Sequence, residues 1–427
     1  MKLTLDVENV GQKRDGKLHL DPFEPDNSLT MIGMLTDTGE ERLVTFDHQD
    51  CPPTPNGHAL VQEWLDKATV LIMHNAAHDL MWLWESGFTY DGAVFDTMLA
   101  EYVLQRGLKE PLTLEACAER YELATQKQDS LKEHLNSGGT SYNMNYPKLA
   151  EYLSADIHAT QQLSDRQMYK LNTPDDAGLM NSVTLTNEVC VTLARMYQRG
   201  FTVDMTALQQ VHDEFLQEKE TLTNELQAHV RNLMGDSPIN LNSPEQLSWV
   251  VYGRKVLDKQ YWGNAIDPYM DDADFRSLMS AGTERVYKTK AEQCTECDGT
   301  GYIRKVKKDG TPFAKPNRCT NCGGSGYLFV STQDLAGLKF KPPSAKWASA
   351  NGFSTSKQNL EILEGAAKSK GLTDAVDFLS KVRRLSAVDT YLSSFVEGIR
   401  MFTKSDGKLH VRLLQHRTST GRFSGAN

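Results

Sequence analysis

The chain has 427 residues, of which 39% are hydrophobic and 24% charged, with a formal net charge of −10. This length exceeds one ordinary hydrophobic core and predicts a globular protein of two to four modules. No apolar run approaches the roughly 18 residues that a membrane-spanning helix needs, which excludes a transmembrane helix, and we expect no membrane partner. The N-terminus also lacks the apolar run of a secretory signal, so we expect a cytoplasmic protein.

The negative charge argues against a large nonspecific nucleic-acid surface, but its distribution is uneven. Residues 304–318 contain six Lys or Arg residues against the single acid Asp309, and residues 404–422 are also basic. Two basic islands on an acidic body are typical of a protein that contacts nucleic acid locally.

The first 175 residues predict an α/β domain, a mixed sheet flanked by helices. A helix is expected after Asn75, another around Met98–Leu104, and a long one over Lys148–Tyr169, where Pro147 suits the first turn. Strands are predicted, in chain order, at Leu3–Val7, Leu29–Leu35, Arg42–Phe46, Val70–Met73 and Ala93–Phe95.

From about residue 176 the pattern becomes mainly helical. A glycine- and lysine-rich stretch at 281–331 interrupts it and predicts a compact insertion. Helices are predicted at Val183–Arg199 and Met205–Leu233, from Pro244 onward, and at Lys357–Lys368 and Asp374–Thr403.

Three segments of the predicted α/β domain carry carboxylates. Asp6 and Glu8 alternate on a strand and therefore project from one face, where two like charges repel unless a cation lies between them. In Asn75–Asp79, an Asn at a strand end is followed by an acid one helical turn later. In Tyr152–Asp156, a phenol and a carboxylate four residues apart share a helix face.

In this order and spacing, the three segments resemble the exonuclease motifs of the DEDD superfamily, which includes the proofreading domain of DNA polymerase I. Tyr152 lies four residues before Asp156, which is the pattern of the tyrosine subtype. Phe95–Leu99 resembles a segment that is usual between the second and third motifs. The resemblance implies an RNase H-like fold with a five-stranded mixed sheet, and a 3′–5′ exonuclease that uses two Mg²⁺ or Mn²⁺ ions.

The resemblance also implies a role for each side chain. Asp6 would bridge both ions, Glu8 and Asp156 would complete the first ion site, and Asp79 would hold the second through water. Tyr152 would orient the attacking water.

Three further polar residues flank these motifs. Asn75 is expected to position the second motif or to bind DNA. We interpret His78 and His158 as local packing or surface residues.

Later segments resemble family A DNA polymerases of the phage type. Asn240–Leu247 and Ser354–Ser356 resemble thumb segments, and Gly407–His410 with Gln415–Ser424 resembles the elements that contact the primer–template duplex. The hydroxyls and guanidinium groups of this last region suit phosphate and sugar contacts, which position DNA without reading its sequence. The predicted DNA-binding residues here are Arg417, Thr418, Thr420 and Arg422.

The polymerase carboxylates of that family lie downstream of the last matching element. We therefore expect this chain alone not to polymerise, and to act as the N-terminal half of a split polymerase. Its partner would be a second chain with the palm and fingers, besides DNA and replication accessory proteins. The alternative is that the sequence is a truncated piece of a longer polymerase.

Four of the seven cysteines form two copies of the pattern C-x-x-C-x-G-x-G. In a cytosolic chain such pairs predict metal before disulfide, and four thiolates form a closed, structural zinc site. The pattern resembles the zinc module of heat-shock co-chaperones, which has four copies. The zinc ligands would be Cys294, Cys297, Cys319 and Cys322.

The basic loop between the cysteine pairs contains Lys305, Lys307 and Lys308. It could grip DNA beside the thumb or bind a replication partner. Alternatively, the zinc ion only stabilises an insertion that has no hydrophobic core of its own.

These features predict four modules: an exonuclease domain at 1–175, a helical region with the thumb start at 176–280, the zinc insertion at 281–331, and the remaining thumb with the start of the palm at 332–427. A proofreading exonuclease is the favoured function. The alternatives are a non-catalytic DNA-clamping subunit, and a standalone exonuclease of the same subtype in repair or RNA processing.

Overall fold

The computed structural model describes residues 1–14, 17–124, 130–305, 314–418 and 420–426. The chain forms two compact units, Met1–Met205 together with Ile399–Asn427, and Thr206–Gly398. The four predicted modules divide the chain more finely than these units and stay predictions. No helix in the described ranges has the length and apolar character required to cross a membrane.

The first unit starts as alternating strands and helices. Its elements begin with β1 (Lys2–Asn9), β2 (Gln12–Arg14), β3 (Lys17–His19), β4 (Leu29–Thr36), β5 (Glu41–Thr45), α1 (Gly57–Lys67), β6 (Val70–Met73), α2 (Ala76–Glu85), β7 (Ala93–Asp96) and α3 (Thr97–Leu104). They continue with α4 (Leu114–Arg120), α5 (Ser130–Asn136), a 3₁₀ turn (Ser141–Asn143), α6 (Tyr146–Leu171), a second 3₁₀ turn (Ala177–Leu179), α7 (Met180–Arg199) and β8 (Phe201–Thr202).

Five of these strands form one sheet in the order β5-β4-β1-β6-β7. β1 pairs antiparallel with β4 and parallel with β6, and β6 pairs parallel with β7. The predicted five-stranded mixed sheet is confirmed. β1 is central in this sheet, and α2 and α6 pack against it, which explains why most of its side chains are buried.

The largest core cluster of the unit packs α1, α2 and α7 against this sheet and includes Leu3, Leu80 and Trp82. α6 lies against β4 and β1. A Cβ atom at Gly33 would lie 2.8 Å from Leu153 Cγ, so the glycine allows α6 to approach β4 closely. This contact positions the helix that carries Tyr152 and Asp156.

The second unit is mainly helical and carries small two-stranded sheets. Its elements are α8 (Met205–Met234), α9 (Pro244–Tyr252), β9 (Arg254–Val256), α10 (Lys259–Ala265), α11 (Asp272–Gly282), β10 (Thr283–Arg285), β11 (Tyr287–Gln293), β12 (Tyr302–Ile303), β13 (Asn317–Arg318), β14 (Tyr327–Leu335), a 3₁₀ turn (Ala345–Trp347), β15 (Ala348–Ser349), β16 (Gly352–Phe353), α12 (Lys357–Ser369) and α13 (Thr373–Thr390). β11 and β14 form an antiparallel ribbon, and β12 pairs with β13 between them in the chain.

The helix predicted over Asp374–Thr403 is not uniform. After α13 the chain forms a π-helical turn at Tyr391–Val396 and then α14 (Glu397–Phe402). The structure offers no single physical cause for this π turn.

The residues after α14 form short strands, and Ile399–Asn427 is grouped with the first unit. β17 (Lys408–Leu409) pairs with β8, and β18 (Arg412–Leu414) pairs with β19 (Ser424–Ala426). Residues near the chain end thus complete the unit that the N-terminus begins.

Candidate active site

The first pair of predicted site residues lies on the central strand. Asp6 and Glu8 are two positions apart on β1 and project from the same face. Asp6 is half-buried, and Glu8 is buried. Two carboxylates are therefore held at one place on a rigid strand, partly out of solvent.

Asp79 lies in the first turn of α2 and is buried. Its carboxylate accepts a hydrogen bond from the Val7 backbone, which connects α2 to β1. Burial, followed by the charges of Asp6, Asp96 and Glu8, holds the pKa of Asp79 well above its usual range. The Oδ2 atom of Asp79 is buried and has no hydrogen-bond partner among the described residues.

Tyr152 and Asp156 lie one turn apart on α6, and both are buried. The tyrosine hydroxyl donates a hydrogen bond to the Asp156 carboxylate. Burial, followed by the charges of Glu8, Asp156 and Asp6, raises the pKa of Tyr152. The charges of Asp6 and Glu8 thus act on both Asp79 and Tyr152, so the five predicted residues lie in one neighbourhood of the fold.

This donor set suits hard divalent cations. Buried carboxylates that repel one another are stabilised by a cation, and Mg²⁺ and Mn²⁺ prefer carboxylate oxygens. The buried Oδ2 atom of Asp79 is an acceptor that such an ion, or water bound to it, would satisfy. The residues present therefore fit a divalent metal site.

The Asp96 carboxylate connects the second motif, Asn75–Asp79, to the sheet through hydrogen bonds. It is buried at the end of β7, where its Oδ1 accepts hydrogen bonds from the backbone N–H groups of Asn75 (3.1 Å), Met98 (2.9 Å) and Leu99 (3.3 Å). Its Oδ2 accepts from Ala76 N–H at 2.9 Å. One carboxylate thus caps α3 and holds the start of α2.

Asn75 ends the β6-to-α2 connection in the left-handed region, at φ 72°. Its Oδ1 accepts a hydrogen bond from Arg412 Nη2 at 3.2 Å. The sequence included Asp96 in a matching segment without a role, and nothing in the sequence connected Arg412 with this site. Only the folded chain brings residue 412 to residue 75.

The two histidines that flank the motifs form hydrogen bonds with residues outside the five predicted site residues. His78 Nε2 lies 2.9 Å from Asn9 Oδ1, and His158 Nε2 lies 2.9 Å from Glu41 Oε2. Burial, and secondarily the Arg412 charge, lowers the pKa of His78 to about 4. His78 is therefore neutral near pH 7. A charged imidazolium at this position would have required a carboxylate as its hydrogen-bond partner.

The four cysteines of the insertion converge on one point. Their sulfur atoms all lie within 4.8 Å of one another, with Cys294 Sγ 3.9 Å from Cys319 Sγ and Cys297 Sγ 3.7 Å from Cys322 Sγ. Tetrahedral zinc with Zn–S bonds of about 2.3 Å requires S···S distances of about 3.8 Å. The cluster is therefore compatible with zinc.

The repeated glycines explain the shape of this cluster. The N–H groups of Gly301 and Gly326 each donate to a cysteine sulfur at 3.3 Å. Both glycines have positive φ, and a Cβ atom at either would lie within 2.4 Å of a backbone oxygen of the other turn. Only glycine fits at these two positions, and the pattern C-x-x-C-x-G-x-G supplies it twice.

The predicted DNA-binding residues are distributed over both units. Arg417 and Arg422 are exposed, Thr418 Oγ1 donates to the Arg422 carbonyl at 2.6 Å, and Thr420 is exposed in the same loop. Lys305 is exposed in the second unit. Lys307 and Lys308 lie outside the described residues.

The comparisons with known proteins agree with this site. Residues 20–171 match the sequence model of a family described as 3′-5′ exonuclease. Over this region the chain is therefore similar to a 3′-5′ exonuclease domain, and such a domain implies the use of divalent metal ions. The match includes Asp79, Tyr152 and Asp156 but begins after β1, so the structure rather than the match brings Asp6 and Glu8 to them.

A curated relative extends the likeness. The DNA polymerase I of Synechocystis sp. (strain ATCC 27184 / PCC 6803 / Kazusa) is 28% identical over 190 residues, which are 44% of this chain and 18% of that protein. The chain therefore spans less than a fifth of the length of this relative.

A solved structure matches almost the whole fold. It is described as the POL domain of Pol1 from M. smegmatis in complex with DNA primer–template and dNTP, and it has a TM-score of 0.53 and 18% sequence identity. The match covers 99% of this chain and 51% of that chain. At this identity, the likeness concerns the fold alone.

Proposed function

We propose that this protein removes nucleotides from the 3′ end of DNA, as the proofreading part of a family A DNA polymerase. The observation that carries the proposal is the set of five side chains around β1: Asp6, Glu8, Asp79, Tyr152 and Asp156. Four acids and a phenol from three separate elements meet, partly out of solvent, on an exonuclease-type domain.

Each side chain has a proposed task in the hydrolysis. Asp6, Glu8, Asp79 and Asp156 would hold two divalent cations, with Asp6 contributing to both, Glu8 and Asp156 to the first, and Asp79 to the second. When bound, the ions would lower the pKa of the attacking water and stabilise charge on the leaving 3′ oxygen. The Tyr152 hydroxyl donates to Asp156, and its oxygen accepts the hydrogen bond that orients this water.

The reaction is a hydrolysis in which the atoms balance. The water oxygen bonds to the terminal phosphorus, the bond between that phosphorus and the 3′ oxygen of the preceding nucleotide breaks, and this oxygen takes up a proton. The products are a nucleoside 5′-monophosphate and a strand shortened by one nucleotide with a free 3′ hydroxyl.

The remainder of the chain is proposed to hold the primer–template duplex. The fold match to a Pol1 POL domain over 99% of the chain supports this, as do the exposed Arg417 and Arg422. The proposed partner is a chain that carries the palm and fingers. The mass of the native polypeptide, with the identity of the chains that copurify with it, tests this part of the proposal.

The exonuclease is tested with 5′-labelled single-stranded DNA. We expect shortening from the 3′ end that requires Mg²⁺ or Mn²⁺. Asp6→Ala should lower the rate on the order of 10³-fold or more, about 4 kcal/mol in the activation free energy. Asp165→Ala is the matched control, because Asp165 is exposed on α6. Normal activity of Asp6→Ala would remove the site assignment.

A structural zinc ion held by the four cysteines is the second part of the proposal. The S···S distances and the paired glycine turns support it. In this role the ion stabilises the insertion and has no part in the hydrolysis.

A further inference from the structure

The C-terminal segment of the first unit, residues 399–426, is fixed to the exonuclease domain by buried polar and aromatic contacts. The His410 ring stacks on Phe23 with ring centroids 3.7 Å apart, and its Nδ1 lies 2.6 Å from the Tyr197 carbonyl oxygen. Lys404 forms ion pairs with the half-buried Asp21 and the buried Glu24. The segment is therefore held in place without any help from Arg412.

Arg412 begins β18 in this segment, and its side chain is half-buried. Its single hydrogen bond from the guanidinium goes to Asn75 Oδ1, and it forms no ion pair with a carboxylate within the described parts of the chain. A guanidinium has five N–H donors in a planar fork. Most of these donors therefore have no acceptor among the described residues.

The position of Asn75 relates this guanidinium to the catalytic carboxylates. Asn75 caps α2, and Asp79 lies in the first turn of the same helix. The charge of Arg412 also acts on His78, the residue directly before Asp79.

The chemistry of such a neighbourhood favours one ligand class. A half-exposed guanidinium that has N–H donors available favours an anionic ligand. The nearby protein carboxylates are assigned to metal ions. A DNA strand whose 3′ end enters this site must place further phosphates within reach of its edges, and a guanidinium binds phosphate oxygens in pairs.

We propose that Arg412, oriented by Asn75, binds a backbone phosphate of the strand whose 3′ end is being removed. This inference rests on the proposed exonuclease function and adds a substrate-binding residue to it. Arg412 is contributed by the C-terminal segment, so the exonuclease site is completed by residues far outside the matched region 20–171. The hydrogen bond to Asn75 orients the guanidinium, and the remaining N–H groups of Arg412 can then donate to an anionic acceptor.

The test compares Arg412→Ala, Arg412→Lys and the wild type on 5′-labelled single-stranded DNA. We expect Arg412→Ala to raise KM by about tenfold or more with little change in kcat, because a charge-assisted contact to bound strand is lost. The slope of log KM against log salt should fall by about 0.7 for one lost phosphate contact. Arg412→Lys should be intermediate. Arg166→Ala, which removes an exposed arginine from α6, is the matched control.

A substrate series then distinguishes phosphate binding from a structural role. One linkage at a time near the 3′ end is replaced by an uncharged methylphosphonate. We expect one position at which this replacement weakens binding by the wild type but has no further effect on Arg412→Ala. If Arg412 only fixed the segment, each neutral linkage would affect wild type and variant equally, and the proposal would be overturned.

The outcomes also separate this proposal from the one on which it rests. Activity that depends on Asp6, together with an unchanged KM in Arg412→Ala, would refute the phosphate contact alone. Normal activity of Asp6→Ala would refute the exonuclease assignment itself.

Discussion

The four proposed magnesium ligands come from three elements spread over residues 6–156, whereas the four cysteines come from two neighbouring turns at residues 294–322. The carboxylates converge because a sheet, α2 and α6 pack around a large apolar core. The cysteines converge because two glycine turns interlock, and their only apolar neighbours are Ile303 and Leu328 among the described residues.

The carboxylate site and the cysteine site therefore differ in how they depend on the surrounding fold. The exonuclease domain keeps its carboxylates together at an electrostatic cost, which the hydrophobic core offsets. The described part of the cysteine insertion buries little apolar surface, so we propose that a bound ion supplies its folding free energy. Removing metal from the first site should abolish chemistry and leave the fold. Removing it from the second should unfold the insertion and leave the exonuclease chemistry.

The largest expected effect tests this contrast at the zinc site. Cys319→Ser, or zinc chelation, should remove a contribution on the order of 10 kcal/mol or more to folding of the insertion. Amide hydrogen exchange over residues 294–326 should then lose its protection, while exonuclease activity on single-stranded DNA stays unchanged.

Cys51→Ser is the matched control, because Cys51 is half-buried in the first unit and lies outside the sulfur cluster. Unchanged amide protection in Cys319→Ser and in the zinc-free protein would show that the insertion folds without an ion, and the contrast would disappear.

Asp96 provides a smaller effect on the carboxylate side of the comparison. Asp96→Ala leaves four backbone N–H groups, two of them buried and two partly buried, without their acceptor. We expect a loss of about 3 kcal/mol in the free energy of unfolding of the first unit, since each unsatisfied buried donor costs about 1–3 kcal/mol before relaxation. Asp79 should be displaced with the start of α2, so exonuclease activity should also fall.

Hydrogen exchange in β6 and β7 measures this stability change, and Asp91→Ala is the control because the Asp91 side chain is 93% exposed. An Asp96→Ala protein with wild-type protection and activity would contradict the role of Asp96 as the fastening of the second motif.

The features that depend on residues close together in the sequence could be predicted from local sequence patterns. The strands of the mixed sheet follow from apolar runs, and the spacing of Tyr152 and Asp156 follows from one helical turn. The cysteine cluster follows equally from two local turns. In each case the determining interactions span only a few residues.

Contacts between distant segments could not be predicted in this way. Asp96 is one acid among many until the fold brings four N–H groups to it. Arg412 meets Asn75 only because the C-terminal segment is fixed to the first unit by His410 and Lys404. Such contacts depend on tertiary packing, which a hydrophobic pattern does not specify.

The smallest expected effect refines the role of Tyr152 within the carboxylate site. Tyr152→Phe removes the hydroxyl that donates to Asp156 and leaves the ring in the core. We expect kcat to fall roughly tenfold, about 1.4 kcal/mol in the activation free energy, with DNA affinity unchanged. The raised pKa keeps the hydroxyl protonated throughout the neutral and mildly alkaline range, so it acts as a donor and not as a base.

The pH–rate profile checks this assignment directly. Because the tyrosine stays protonated in the wild type, Tyr152→Phe should lower the rate by the same factor at every pH from neutral to mildly alkaline. Tyr146→Phe, in the first turn of the same helix, should change neither kcat nor KM. A rate loss that grows with pH would indicate that the hydroxyl ionises during turnover and would replace the orienting role with a basic one. An unchanged rate would remove Tyr152 from the site and leave four carboxylates as its functional set.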